Sequence, residues 1–160
     1  VTETTVFLQP GEMYIGEKPA RVKTVVGSCV AICMRDPELN LTAISHCLLP
    51  EASGPLKTLT HPDALRYVDS TVELMLAAMQ KHGAQPENLE IKLFGGSDAG
   101  LGYEVGRRNV EAARRALAAH GLPIARSAVG GASGRALEFD TSSGVVLVKS
   151  LAVREVREGG

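Results

Sequence analysis

Short apolar runs rich in β-branched residues outnumber helix-period segments by about eight to two along this chain, and that ratio limits its fold more than any other feature. The runs fall near 4–8, 20–26, 29–34, 41–49, 90–94, 123–129, 135–140 and 145–150. A doubly wound sheet would alternate helix with strand, so the pattern excludes one. It favours an α+β chain whose mixed or antiparallel sheet carries its helices on one side. The first helical segment has apolar residues at Ala64, Leu65, Val68, Val72, Met75, Leu76 and Met79, a period close to the helical repeat. Thr60 or His61 precedes its first turn, Pro62 suits an early helical position and Gly83 suits the left-handed residue past its end. The second, near 106–120, turns Val110, Ala113, Ala116 and Leu117 inward and stops at Gly121. His82 and His120 fall in last turns, where the helix dipole favours positive charge.

With 160 residues and 16.9 kDa, the chain suits one domain, with a core at about 5–150 and a polar tail at 151–160. Three cysteines, an odd number, give no disulfide framework and point to a reducing compartment. The N-terminal residues lack a basic start followed by an apolar core, and no apolar run is long enough to span a bilayer, so the expected location is cytoplasmic with no membrane insertion. Lys and Arg number 17 against 18 Asp and Glu, a net charge of −1 that gives no general attraction to nucleic acid. The one basic concentration, Arg107-Arg108 with Arg114-Arg115, is interleaved with Glu104 and Glu111 and reads as a solvated helix face.

The chemistry concentrates at Gly27-Ser28-Cys29 and at His46, seventeen positions on. The runs 29–34 and 41–49, separated by Arg35-Asp36-Pro37-Glu38-Leu39-Asn40, form a hairpin signature with a loop of about five or six residues. In such a hairpin Cys29 opposes the end of the second strand, where His46 lies. A nearby imidazole can take the proton of a thiol and leave a thiolate, which attacks carbonyl carbon. A tight approach of Gly27-Ser28 would bring backbone amides near the sulfur, where they can hold an oxyanion. A third group normally fixes the imidazole. No Asp or Glu lies between Glu17 and Asp36, so the local candidates are the hydroxyls of Thr24, Ser28 and Ser45.

Other readings of these residues are weaker. Cys33 and Cys47 are embedded in apolar runs and read as core. A zinc site of Cys29, Cys33, His46 and Cys47 would need groups roughly 13 Å apart along a strand, with His46 and Cys47 on opposite faces, so no metal is expected. Of the glycine clusters, Gly95-Gly96-Ser97-Asp98-Ala99-Gly100 follows a strand but lacks a Gly-Lys-Ser/Thr ending. Gly100-Leu101-Gly102 does not continue to a third glycine three residues on. These clusters, Gly130-Gly131-Ala132-Ser133-Gly134 included, suit close backbone approach around a pocket better than nucleotide binding.

Five blocks together resemble the CheD family of chemoreceptor glutamine deamidases in bacterial chemotaxis. They are Thr24-Val25-Val26-Gly27-Ser28-Cys29-Val30-Ala31, Ser45-His46-Cys47-Leu48-Leu49-Pro50, Lys92-Leu93-Phe94-Gly95-Gly96, Gly106-Arg107-Arg108-Asn109-Val110, and Val129-Gly130-Gly131 followed by Ser133-Gly134-Arg135. They lie in the family's order from about residue 10 to 150. The resemblance implies a layered α/β/β sandwich of mixed, largely antiparallel strands with two main helices on one side, similar to the catalytic domain of cytotoxic necrotizing factor toxins. It also implies hydrolysis of glutamine side chains in methyl-accepting receptors, without cofactor. Cys29 would be the nucleophile, His46 the base and Thr24 the third member, with Ser28, Gly27, Gly95 and Gly96 around the oxyanion or pocket. A CheC-type phosphatase is the implied partner. A regulatory module that binds receptor helices or such a phosphatase without turnover is the alternative.

Overall fold

A computed structural model describes residues 3–52, 63–98 and 104–152. Thr60, His61, Pro62, the Gly100-Leu101-Gly102 stretch and the tail from 153 on lie outside them. The described strands and α-helices are, in order, β1 (Thr4–Phe7), β2 (Met13–Gly16), β3 (Ala20–Val26), β4 (Val30–Asp36), β5 (Leu41–Cys47), α1 (Val68–Lys81), β6 (Glu90–Gly95), α2 (Val105–Ala119), β7 (Ile124–Val129), β8 (Arg135–Asp140) and β9 (Val146–Ser150).

The hairpin forms as its pattern requires, with β4 and β5 antiparallel and Ala31 opposite His46. Its loop is tighter than expected, residues 37–40. The Asp36 carboxylate accepts the Glu38 and Leu39 amides at 3.0 and 3.2 Å, and Asn40 takes a left-handed φ of 51°. Every residue of β5 is buried, because both of its faces are covered. Leu41, Ala43 and Cys47 pack with Val68, Val72, Met75 and Met79 of α1 and with Val110, Ala113 and Leu117 of α2. Ile44, one position out of phase, packs with Ala31, Cys33 and Phe94 against Val22, Val26, Leu137 and Phe139 of the other sheet.

Three layers follow: the helices, a five-stranded sheet in the order β2-β5-β4-β6-β7, and a four-stranded sheet in the order β1-β3-β8-β9. Among the described residues, five of the seven strand pairings are antiparallel; β1 with β3 and β6 with β7 are parallel. The α+β class, the mixed sheets and the helices on one side are therefore as expected from the sequence. No described helix is long and apolar enough to cross a membrane.

Two elements depart from the expectation. Strand β2 was not anticipated. It is an edge strand of four half-buried residues, too short to show alternation, though Tyr14-Ile15 between Gly11 and Gly16 carries a faint signal. Helix α1 begins at Val68, later than its apolar period suggested. A single 3-10 turn at Ala64–Arg66 comes first, and Tyr67 is extended between the two. The backbone there is committed to the chain leaving β5: the Leu48 and Leu49 amides donate to the Arg66 carbonyl, and the Val68 amide donates to that of Leu49. The glycine stops hold, with Gly83 at φ 97° and Gly121 at φ 67°, and the His82 ring bonds the Ala78 carbonyl at the end of α1.

Candidate active site

The pleat of β3 and β5 brings a hydroxyl and an imidazole together between the two sheets. Thr24 alternates with Val22 and Val26 toward the interlayer space, and His46 shares the inward face of Ile44. Both are buried, and Thr24 Oγ1 lies 2.6 Å from His46 Nδ1. The same hydroxyl donates to the Leu8 carbonyl at 2.8 Å. A hydroxyl has one proton, so Nδ1–H must donate to Oγ1, and the lone pair is then on Nε2. Among the described residues Nε2 is buried and has no hydrogen-bond partner. Ser45 faces the helix side beside Cys47, and Ser28 is exposed. Of the three local hydroxyls, Thr24 alone meets the ring. Lys23, one residue earlier, turns to the outer face and pairs with Glu138.

Cys29 lies in the turn that carries the chain from one sheet to the other, one residue before β4. Its carbonyl accepts the Gly96 amide at 2.8 Å, extending the β4–β6 ladder by one position. It is two residues from Ala31, which opposes His46, so sulfur and imidazole share the interlayer face as diagonal neighbours. Such positions stand about 7–8 Å apart along the backbone and less between side chains. Cys29 is half-buried and packs at the edge of the same cluster as Ala31 and Val26.

Every carbonyl of this turn is held. Ser97 N donates to Gly27 O at 2.9 Å, Asn109 Nδ2 to Ser28 O at 2.8 Å, and Gly96 N to Cys29 O. The close backbone approach expected of the glycine clusters is present at Gly95 and Gly96 but not at Gly27. Nothing would obstruct a Cβ at Gly27, whereas one at Gly95, whose φ is 105°, would strike the Cys29 carbonyl. Gly96, at φ 66°, abuts Val110 and Gly106 of α2, so these two glycines let the turn that carries Cys29, the end of β6 and α2 approach closely. Gly130 N donates to Gly95 O, and Arg135 bonds the Gly95 and Gly130 carbonyls at 3.3 and 2.9 Å, tying the third glycine cluster to the same support.

Burial opposes an ion pair between the two groups. Burial pushes the Cys29 thiol above its ordinary range, opposed in part by its own backbone amide, and burial pushes His46 below the ordinary imidazole value. Both shifts favour a neutral thiol beside a neutral imidazole in the resting protein. Cys33 and Cys47, fully enclosed, are pushed up to about 12 and about 11. They are core residues, and the four groups weighed as zinc ligands do not converge, since Cys47 faces the helices while Cys33 and His46 face the second sheet.

A groove of about 610 Å³ is lined by Leu8, Pro10, Thr24, Val25, His46 and Leu147, among others, and reaches the threonine–histidine end of the site. Cys29 does not line it and sits half-buried next to exposed Ser28. Sequence reasoning missed Asn109, Ser97 and the Leu8 carbonyl. Its place in the Gly106-Arg107-Arg108-Asn109-Val110 block, three residues after a glycine in the first turns of α2, was the only trace of the first. The arginines of α2 behave as a solvated face: Arg107 pairs with Glu104 at 2.6 Å, and Arg115 pairs with Glu51 at 2.6 Å.

A half-buried cysteine, an imidazole with one nitrogen tied and one without a partner, and backbone amides at the turn are groups of the kind that cysteine-dependent hydrolysis uses. The family model for CheD chemotactic sensory transduction matches residues 48–150. A protein of Geobacter sulfurreducens named "Probable chemoreceptor glutamine deamidase CheD 2" is 46% identical over 91% of this chain and 89% of its own length. One of Maridesulfovibrio salexigens, bearing that name without the numeral, is 42% identical over 91% of each. The chain belongs to the CheD family. Among solved structures, the Bacillus licheniformis hypothetical protein YfiH aligns with a TM-score of 0.45 and 14% identity over 75% of this chain and 49% of that one.

Proposed function

We propose that this chain deamidates glutamine side chains of methyl-accepting chemotaxis receptors, yielding glutamate and ammonia, with Cys29 as nucleophile, His46 as base and acid, and Thr24 as its orienter. The observation that carries the reading is the imidazole's asymmetry: Nδ1 is tied to Thr24 and Nε2 is free on the face that Cys29 shares. The names of the relatives supply the substrate class.

Burial raises the thiol and lowers the imidazole, which favours a proton that moves as attack begins. His46 Nε2 takes it from the Cys29 thiol, sulfur bonds to the amide carbon, and the carbonyl electron pair moves onto oxygen beside the Cys29 amide. Collapse breaks the carbon–nitrogen bond as the imidazolium protonates the departing nitrogen, which leaves as ammonia. A water, deprotonated by His46, then attacks the thioester, and the thiol regains its proton as the glutamate is released.

Incubating a receptor cytoplasmic fragment with the protein and mapping its peptides by mass spectrometry tests this. Glutamine-to-glutamate conversion with ammonia release is expected, absent with Cys29→Ala. Conversion by that variant would refute the assignment, and receptor binding with no mass change would leave a regulatory binding module. On the family resemblance we further propose cytoplasmic action and a CheC-type phosphatase as a second partner.

A further inference from the structure

Asn109 is fully buried on α2, and its one amide nitrogen reaches two carbonyls at once: Ser28 at 2.8 Å and Leu48 at 3.0 Å. The first belongs to the turn that carries the nucleophile, the second to the residue two beyond His46. A single side chain thus bridges the two halves of the site. The peptide between Ser28 and Cys29 is trans, so its carbonyl and its N–H point in opposite directions. Holding the Ser28 carbonyl toward α2 therefore aims the Cys29 N–H the other way, away from α2. The flanking carbonyls are held by backbone amides of Gly27's and Cys29's partners, Ser97 and Gly96, which no side-chain substitution removes. Asn109 is the one side chain among the three donors.

We propose that Asn109 is a positioning residue for oxyanion stabilisation: by fixing the Ser28 carbonyl it orients the Cys29 amide toward the oxygen of the attacked carbonyl. It touches neither sulfur nor substrate and acts through the peptide that it holds. The inference rests on the deamidase reading for the substrate, but its geometry requires only that Cys29 attack a carbonyl.

Two electrophiles separate orientation of the amide from reactivity of the thiol. Iodoacetamide alkylates sulfur by displacing iodide and forms no oxyanion. Propanal, which has the reach of a glutamine side chain with hydrogen in place of the amide nitrogen, adds sulfur at its carbonyl carbon. Its oxygen receives the π electrons and then the thiol proton, giving a hemithioacetal whose formation passes through an oxyanion. With carbonyl-labelled propanal followed by carbon NMR, Asn109→Ala should slow formation of the Cys29 adduct by on the order of 10²-fold, the scale of one lost oxyanion donor. The rate of iodoacetamide alkylation should stay within about twofold, and on receptor fragment kcat should fall with little change in KM. The isosteric Asn109→Asp covers the case in which alanine does not fold. Its carboxyl can donate one bond when protonated and none when ionised, so propanal addition relative to the parent should fall as pH rises, a limb that the parent lacks. Unchanged propanal rates in both variants would overturn the proposal. So would equal losses with propanal and iodoacetamide, which mean general disorder of the turn. Propanal selectivity in a protein that releases no ammonia would leave Asn109's role standing and remove the deamidase reading instead.

Discussion

At the scale of single residues, the chemistry depends on which atom of each side chain is already occupied. Thr24 spends its only proton on the Leu8 carbonyl and so can only accept from His46, which fixes the imidazole tautomer without a carboxylate. Thr24→Val keeps the shape and removes that oxygen. It should cost about 1–3 kcal/mol of stability, read by urea unfolding, because the Leu8 carbonyl and Nδ1 lose a buried partner. Turnover should fall on the order of 10²-fold, since a ring free to rotate or to change tautomer is a poorer base. Thr24→Ser should restore most of both, and a valine variant with parental turnover would show that the hydroxyl is only structural. The raised Cys29 thiol makes a second prediction. In the free protein, alkylation of Cys29 by iodoacetamide should climb through the alkaline range instead of reaching a plateau near neutrality, as an ion pair would require. Cys33 and Cys47 should stay unmodified until unfolding.

At the scale of elements, the turn that carries Cys29, the proposed nucleophile, is only as well placed as the loop beneath it. Helix α2 approaches that loop through Gly106, where a Cβ would collide with the Ser97 and Gly96 carbonyls. Gly106→Ala should therefore destabilise by about 1–3 kcal/mol in denaturant unfolding and depress turnover, because the helix that carries Asn109 must back away. An alanine variant as stable and active as the parent would show that the contact has slack. How much of this was legible follows from how local each signal is. The hairpin, its register and the shared face of Cys29 and His46 follow from strand period and turn residues, all within about twenty positions. The pairing of Thr24 with His46 does not, because it spans two sheets whose stacking is set by Val22, Val26, Ile44, Phe94, Leu137 and Phe139 together. The late start of α1 was hidden because apolar period is blind to the backbone bonds between Arg66 and the Leu48-Leu49 segment. Asn109 was hidden because its partners are 81 and 61 residues away.

At the scale of the whole molecule, the site is also the seam between the two sheets, so its titration is coupled to folding. Burial holds His46 below its ordinary value of 6.5, and a buried imidazolium would carry a second N–H at Nε2 with no partner there. The unfolded chain therefore binds a proton at higher pH than the folded one. The contribution is fully present above that ordinary value and is lost as pH falls through the depressed folded value. The thiols act with the opposite sign. Their folded values lie above the ordinary 9.0, with Cys33 at about 12 and Cys47 at about 11, so their contribution is present below 9.0 and is lost as pH rises beyond it. Stability should form a dome across neutral pH, with His46 shaping its acid side and the thiols its alkaline side. Urea unfolding across the range separates the two. His46→Gln, which cannot titrate, should flatten the acid limb relative to the parent and leave the alkaline limb alone, while Cys33→Ala should flatten only the alkaline one. An acid limb identical in His46→Gln and the parent would mean that the folded protein tolerates the imidazolium, and would count against the proposed proton transfer from Cys29 to a neutral imidazole.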